Sequence, residues 1–213
     1  MSTIISVIIP CYNRENHISR AIRSCLEQTL SREDFEIIVI DDGSTDHSLR
    51  EINKFKEQIT LITHGANLGL PSARNAGIQV SKGRYVFNLD SDDYMHPETL
   101  KTMLLAITLT NSPAVSCDYI FVDNLDNRSN QISAVDHPIA CGILFKRELL
   151  IEIGLYDVEF LINEEKDLRY RFDEKYRITH IPIPFYRYLQ HEDNLTKSKK
   201  KIIFDKKLKQ KHS

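Results

Sequence analysis

The sequence predicts an α/β fold: a Rossmann-like, mainly parallel sheet flanked by helices, followed by a mixed second half. Short β-branched runs such as Ile4–Ile9 and Glu36–Ile40 are typical of parallel strands buried on both faces. Apolar residues at helical spacing separate these runs. Strand and helix signals alternate as far as residue 110 and become irregular beyond it, so we expect the parallel sheet within residues 1–110.

The first half is predicted to contain four strands joined by helices. Asn13 precedes the first helical run as a candidate cap. The second helix is predicted to begin near Ser44 or Thr45. The further elements of this half are strands at Ile59–Thr63 and Tyr85–Leu89 and a helix at Ser72–Val80.

The second half, residues 111–196, is predicted to mix helices and strands around a polar segment. That segment, residues 123–137, contains three asparagines, three aspartates and no aromatic residue. A mobile loop over a site and an exposed insertion explain it equally well. The predicted elements are a helix after Pro97, strands at Val115–Val122, Ile139–Phe145, Arg177–Ile181 and Phe185–Leu189, and helices at Arg147–Ile153 and Glu164–Phe172.

Length and composition indicate one globular domain, which we place at residues 1–196. A chain of 213 residues with 41% hydrophobic and 27% charged residues can bury one core and is not typical of a disordered protein. The four cysteines form no C-x-x-C pair, so buried thiols are favoured over zinc or redox chemistry. No apolar stretch reaches the roughly 20 residues that cross a bilayer, and no signal-peptide pattern is present, which predicts a cytoplasmic protein.

The last residues, 197–213, form a basic tail with eight lysines and one aspartate, although the whole chain has a net charge of −2. Two interpretations are open. The tail is a solvated end, or it holds the protein peripherally at the anionic inner face of the membrane, where each lysine contributes roughly 1 kcal/mol.

Acidic residues follow two predicted strands of the parallel sheet. Asp41 and Asp42 come after the second strand, and Asp90, Asp92 and Asp93 come after the fourth. Because ligands of open parallel sheets collect at the carboxyl ends of the strands, we expect these aspartates in one site. Like charges this close together need a cation or a hydrogen-bonding ligand to compensate them.

Each of these residue types suggests a particular contact. The D-x-D spacing of Asp90 and Asp92 suits Mn²⁺ or Mg²⁺, which take one or two carboxylates and keep positions open for diphosphate oxygens; a surface turn is the alternative. Asp41 is placed to accept the N3 hydrogen of uracil, and Asp42 either joins that site or caps the next helix. Arg74, at the start of a helix, can bind a nucleotide or pyrophosphate or pair with an aspartate.

No glycine-rich phosphate loop is present, which argues against P-loop and dinucleotide chemistry. Instead, an ordered set of motifs between residue 4 and about residue 105 resembles the inverting family 2 glycosyltransferases of the GT-A fold. The matching segments are Ser6–Asn13, Val39–Asp46, Asn67–Gly69, Ala73–Asn75, Gly83–Asp93 and Pro97. The resemblance implies a nucleotide-sugar donor, a glycan or lipid-linked acceptor and no nucleic-acid partner, and it leaves open a monomer or a homodimer.

The resemblance also implies roles for single residues of the first half. Pro10 and Tyr12 would line the base pocket, and Asp41 and Arg74 would bind the nucleoside. The metal motif would consist of Asp90 and Asp92, with the direct metal contact made by Asp92 and with Asp90 acting through water or on the ribose.

The second half resembles the family more loosely. Glu164 and Glu165 stand where the family commonly has Glu-Asp before a helix, so that Glu165 occupies the aspartate position. Glu165 is therefore predicted to be the general base, with Glu164 in support. His191, in a segment that matches the closing motif of the family, is predicted to approach the diphosphate or the metal, and a surface histidine is the alternative.

The implied reaction is a single displacement. A carboxylate removes the acceptor proton, the oxygen attacks C1 of the sugar with inversion, and the metal stabilises the departing nucleoside diphosphate. A uridine donor and a role in bacterial surface-glycan synthesis are the family-level expectations. A nucleotidyltransferase is disfavoured because its basic glycine-rich loop is missing. A non-catalytic nucleotide-sugar-binding partner subunit is the other alternative, suggested by the glutamate at position 165.

Overall fold

The computed structural model describes residues 3–190 together with Phe204, Lys207, Leu208 and residues 210–212. The strands, in chain order, are β1 Ile5–Cys11, β2 Phe35–Asp41, β3 Thr60–Thr63, β4 Tyr85–Asn88, β5 Tyr94–Met95, β6 Ala114–Val122, β7 Ile143–Lys146 and β8 Ile178–Leu189. The helices are α1 Ile18–Leu26, α2 Ser48–Asn53, α3 Leu70–Val80, α4 Thr99–Thr110, α5 Arg147–Glu152 and α6 Glu164–Asp173.

All these strands belong to one sheet with the order β3-β2-β1-β4-β7-β6-β8-β5. The first four strands in this order run parallel. β7 is antiparallel to both β4 and β6, β6 is parallel to β8, and β5 is antiparallel to β8 at the edge. The predicted α/β fold, parallel in the first half and mixed in the second, is confirmed.

The strands of the parallel part are buried on both faces. Val7 and Ile9 of β1 pack in the layer that contains α1 and α4, whereas Ile8 packs in the layer that contains α3 and α6. This burial explains why the strand is a continuous apolar run rather than an alternating one. Gly77 lets α3 approach the sheet closely, because a Cβ there would lie 2.5 Å from Ile8 Cγ2. Across the described residues, no helix combines the length and the apolar composition of a membrane span.

Three predicted elements and one predicted helix cap are wrong in detail. The strands predicted at Arg177–Ile181 and Phe185–Leu189 are one strand, β8, because register shifts on either side of Asp118 let its pairing with β6 continue. The second helix begins at Ser48, later than predicted. The residues before it form a loop that is held by Asn13, whose Oδ1 accepts a hydrogen bond from the backbone nitrogen of Thr45 at 2.8 Å. Asn13 therefore does not cap α1, which begins after His17.

Candidate active site

The carboxyl ends of β1, β2 and β4 meet at one edge of the sheet. Cys11 lies beside Asp41 in the pairing of β1 with β2, and the backbone nitrogen of Leu89 donates to the carbonyl of Ile8. The residues that follow these strands line a cleft of about 1180 Å³, together with the start of α6 and residues 138–141. The predicted site residues of this edge that line the cleft are Pro10, Tyr12, Asp42, Arg74, Asp90 and Asp92.

An exposed ring follows β1, and a buried carboxylate ends β2. Tyr12 is 40% exposed and lines the cleft next to Pro10. Asp41 is buried at the end of β2 and is not itself a lining residue. Its Oδ1 nevertheless has no hydrogen-bond partner within the described part of the chain. A buried carboxylate oxygen without a partner is costly, and a hydrogen-bond donor supplied by a ligand would satisfy it.

Asp42 organises the loop that leads into α3. Its Oδ1 accepts a hydrogen bond from the backbone nitrogen of Leu68 at 3.0 Å, and its Oδ2 accepts one from Gly69 at 2.9 Å. The ring of His64 lies 2.6 Å from the same carboxylate. The carboxylate thus sits at the N-terminus of α3, where the helix dipole favours a negative charge. Asp42 therefore shapes the wall of the cleft, and the predicted cap of the next helix, α2, is not observed.

Arg74 connects the turn after β4 to the start of α6. Its guanidinium has no exposed surface and donates to Asp90 Oδ1 at 2.8 Å and to Glu164 Oε1 at 2.6 Å. Burial opposes the charge, but the surrounding groups, Asp90 foremost, raise the pKa of Arg74 well above its ordinary value. The structure therefore shows the pairing of Arg74 with an aspartate. A contact between Arg74 and a nucleoside stays a prediction.

The aspartates after β4 have different environments. Asp90 and Asp92 face the cleft, with 28% and 14% of their side chains exposed. Asp92 is held by Arg14, whose Nε lies 3.3 Å from its Oδ2. Asp93 points inward, where it accepts hydrogen bonds from the hydroxyl of Tyr186 at 2.6 Å and from a backbone nitrogen of β8 at 2.8 Å. Burial, and then the neighbouring aspartates, raise the pKa of Asp93 well above its ordinary value. Asp93 thus anchors this turn to β8.

Two carboxylates suit a hard divalent cation at this edge. No group of three or more histidine, cysteine, aspartate or glutamate side chains that could hold a metal ion occurs among the residues described. Mg²⁺ and Mn²⁺ do not need one, since they bind one or two carboxylates and complete their coordination with water and phosphate oxygens. Asp90 and Asp92 fit such a cation. His191, the third predicted metal residue, lies outside the described residues.

Two glutamates, Glu164 and Glu165, begin α6 and line the cleft. Asn163, with a left-handed φ of 67°, turns the chain into the helix directly before them. Burial raises the pKa of Glu164 to about 7, although the charge of Arg74 acts to lower it. Glu165 is partly exposed and lines the cleft. Both glutamates line the cleft, but Glu164 is buried and paired with Arg74, whereas Glu165 is partly exposed.

The described residues of the basic tail contact the domain. Lys207 lies 2.7 Å from Glu159, and Lys211 lies 2.7 Å from both Asp157 and Asp167. Phe204 lines the cleft. Acidic residues of the domain thus neutralise part of the tail, while the predicted boundary at residue 196 and the predicted membrane contact stay predictions.

Comparison with known proteins gives matches over most of the chain. The model of the family Glycosyl transferase family 2 matches residues 6–194. The chain is 45% identical over 100 residues to the poly(ribitol-phosphate) beta-glucosyltransferase of Bacillus spizizenii, a match that covers 45% of this chain and 16% of that protein. The chain therefore spans a small part of the length of this relative.

Solved structures share the fold. Residues 1–349 of TarS from S. aureus, in complex with UDP-GlcNAc, match with a TM-score of 0.80 and 23% identity over 92% of this chain and 61% of that one. The mannosyltransferase PcManGT from Pyrobaculum calidifontis, in complex with GDP-Man and Mn²⁺, matches with a TM-score of 0.73 and 20% identity over 91% and 59%. These likenesses confirm the predicted GT-A type of fold.

Proposed function

Because the chain belongs to glycosyl transferase family 2, we propose that it transfers a sugar from a UDP-sugar to a hydroxyl acceptor, with inversion and with Mn²⁺ or Mg²⁺ as cofactor. The observation that carries the proposal is one cleft lined by the exposed ring of Tyr12, by Asp90 and Asp92 and by Glu165. Its volume of about 1180 Å³ suits a nucleotide sugar together with part of an acceptor.

The donor binds with its base at the carboxyl ends of β1 and β2. Tyr12 offers an exposed ring for stacking, and the partnerless Oδ1 of Asp41 accepts the N3 hydrogen of uracil. The crystal structure of TarS with UDP-GlcNAc supports a uridine donor. The complex of PcManGT with GDP-Man presents guanosine as the competing choice.

Asp92 and Asp90 hold the divalent cation, which, when bound, neutralises the charge that develops on the leaving diphosphate. Arg14 orients Asp92, and Arg74 orients Asp90. Such supporting contacts fix carboxylate ligands in position and commonly matter nearly as much as the ligands themselves. In this assignment Arg74 is a positioning residue rather than a ligand of the donor.

Glu165 takes the proton from the acceptor hydroxyl. It lies in the first turn of α6, where the helix dipole stabilises the carboxylate by about 0.3 to 1 kcal/mol. Glu164 supports it by fixing the start of α6 to Arg74. The acceptor is a glycan or a lipid-linked glycan of the bacterial surface, a choice supported by the poly(ribitol-phosphate) glucosyltransferase among the relatives.

The experiment measures the binding of UDP, GDP and ADP by calorimetry with Mn²⁺, and then the hydrolysis and transfer of UDP-glucose and UDP-GlcNAc. We expect UDP to bind most tightly and Asp41→Ala to abolish that preference. Glu165→Gln should lower turnover by about 10² to 10⁴ with little change in donor binding. Glu33→Gln, at an exposed position, is the matched control.

Each outcome has a clear consequence. Equal binding of the three diphosphates would remove the role of Asp41. Normal turnover in Glu165→Gln with a large loss in Glu164→Gln would transfer the role of the base to Glu164. Nucleotide-sugar binding without any turnover in the unaltered chain would favour the non-catalytic partner subunit, which the longer side chain at position 165 also suggests.

A further inference from the structure

A second cavity, of about 500 Å³, lies beside the metal motif and shares no lining residue with the cleft. It is bordered by α1, by β5 and the residues after it, by the end of β8 and by the loop after β6. We call it the arginine pocket. Its basic and aromatic lining residues are Arg20, Arg23, Tyr94, His96, Arg128 and Arg187.

The charges around the arginine pocket do not balance. Its four arginines face two carboxylates, Glu27 and Asp126. Asp126 is already paired with Arg128, at 3.1 Å. Within the part of the chain that the structure describes, the other three arginines form no ion pair. His96 adds no compensation, because burial and then Arg187 lower its pKa, which leaves the imidazole neutral near pH 7.

Arg187 is the buried member of this group of arginines. Only 8% of the residue is exposed, and its guanidinium donates to the carbonyl of Pro184. Burial, and then the charge of Arg128, lower the pKa of Arg187. A buried guanidinium without a counter-ion is energetically unfavourable. An anion bound beside Arg187 would offset this cost.

The position of the pocket relates it to the reaction. Arg20 lies over the ring of Tyr94, 4.5 Å from the ring centroid, and its NH2 nitrogen is 3.4 Å from the backbone carbonyl of Asp92. An anion bound by Arg20 would therefore lie next to the metal motif but outside the cleft that takes the donor.

We propose that the arginine pocket binds a phosphate group carried by the acceptor, an inference that rests on the proposed function. Guanidinium groups match the oxygens of phosphate in pairs of parallel hydrogen bonds, which makes arginine the preferred residue for this anion. Arg187 is the buried arginine of the site, and Arg20 and Arg128 also line the pocket. A phosphate bound here holds an acceptor chain at a fixed distance from the donor.

The test is a titration with glycerol 1-phosphate by calorimetry, without nucleotide and at low ionic strength, beside neutral glycerol and inorganic phosphate. We expect saturable binding of glycerol 1-phosphate, weaker binding of inorganic phosphate, and none of glycerol. Arg20→Gln and Arg128→Gln should each weaken the binding about tenfold. Arg187→Gln should weaken it at least as much, and thermal unfolding shows whether that variant keeps the fold.

Arg177→Gln is the matched control, because Arg177 is exposed and precedes β8, about 30 Å from Arg187 along an extended strand. Tyr12→Ala separates the two proposals: it should lose UDP binding and keep glycerol 1-phosphate binding. The proposed site would be refuted if glycerol 1-phosphate still bound to both Arg20→Gln and Arg128→Gln with unchanged affinity. It would also be refuted if saturating UDP displaced glycerol 1-phosphate. If inorganic phosphate bound as tightly as glycerol 1-phosphate, the claim that the phosphate group belongs to the acceptor would be refuted. Failure of UDP to bind the unaltered chain would remove the proposed function and leave the phosphate site standing.

Discussion

The buried carboxyl of Glu164 should make the stability of this protein depend on pH. Its pKa is raised from the ordinary value of 4.5 to about 7 because it is buried, so the folded state binds the proton more strongly than the unfolded state does. The free energy of unfolding should therefore fall as the pH rises from about 4.5 through about 7 and level off about one pH unit above the folded-state pKa.

The size of the effect follows from the shift. Each pKa unit corresponds to about 1.4 kcal/mol, which gives a total of about 3 kcal/mol. Most of this change lies between pH 5 and pH 8. Glu164→Gln keeps the size of the side chain and an oxygen for Arg74 but cannot titrate. The difference in stability between the unaltered chain and this variant should therefore change by about 2 to 3 kcal/mol over that interval.

Urea unfolding followed by circular dichroism at pH 5, 6, 7 and 8, with a chelator present, measures this difference. Subtraction removes the other titrating groups, and Glu33→Gln, at an exposed position, controls for the loss of a carboxylate as such. The unaltered chain should lose stability relative to Glu164→Gln as the pH rises. Parallel curves would refute the raised pKa, and a relative gain with rising pH would mean that Arg74 outweighs burial.

Three further changes have definite expected outcomes. Asp92→Asn should weaken Mn²⁺-dependent UDP binding more than Asp90→Asn in calorimetry, and the reverse order would assign the direct ligand to Asp90. Gly43→Ala should lower the free energy of unfolding by about 1 to 3 kcal/mol in urea titrations, because φ at Gly43 is 71° and a Cβ there would lie 2.5 Å from the backbone of Ala66; an unchanged midpoint would show that the turn relaxes. Ending the chain at Thr196 should abolish low-salt co-sedimentation with anionic vesicles, and equal sedimentation of both forms would contradict membrane binding by the tail.

The sequence predicts which residues meet at one edge of the sheet, because the determinants are local. Each β-branched strand stands next to its own polar end, so the parallel sheet alone brings Tyr12, Asp42 and Asp90 to one edge. Pairings between distant segments are not visible in this way. Arg74 and Glu164 are 90 residues apart, and no pattern near either residue indicates the other. Nor does the sequence distinguish the inward Asp93 from its neighbours, since its burial depends on Tyr186 of β8.

The ion pairs of Arg74 with Asp90 and Glu164 limit which chimeras of this protein with its homologues can be stable. The guanidinium belongs to the first half of the chain, one of its carboxylates follows β4, and the other begins α6 in the second half. A chimera that joins this first half to the second half of a homologue inherits a buried cation, whose stability then depends on the residue that arrives at position 164. Recombination should therefore succeed mainly between parents that match at the residues of these ion pairs.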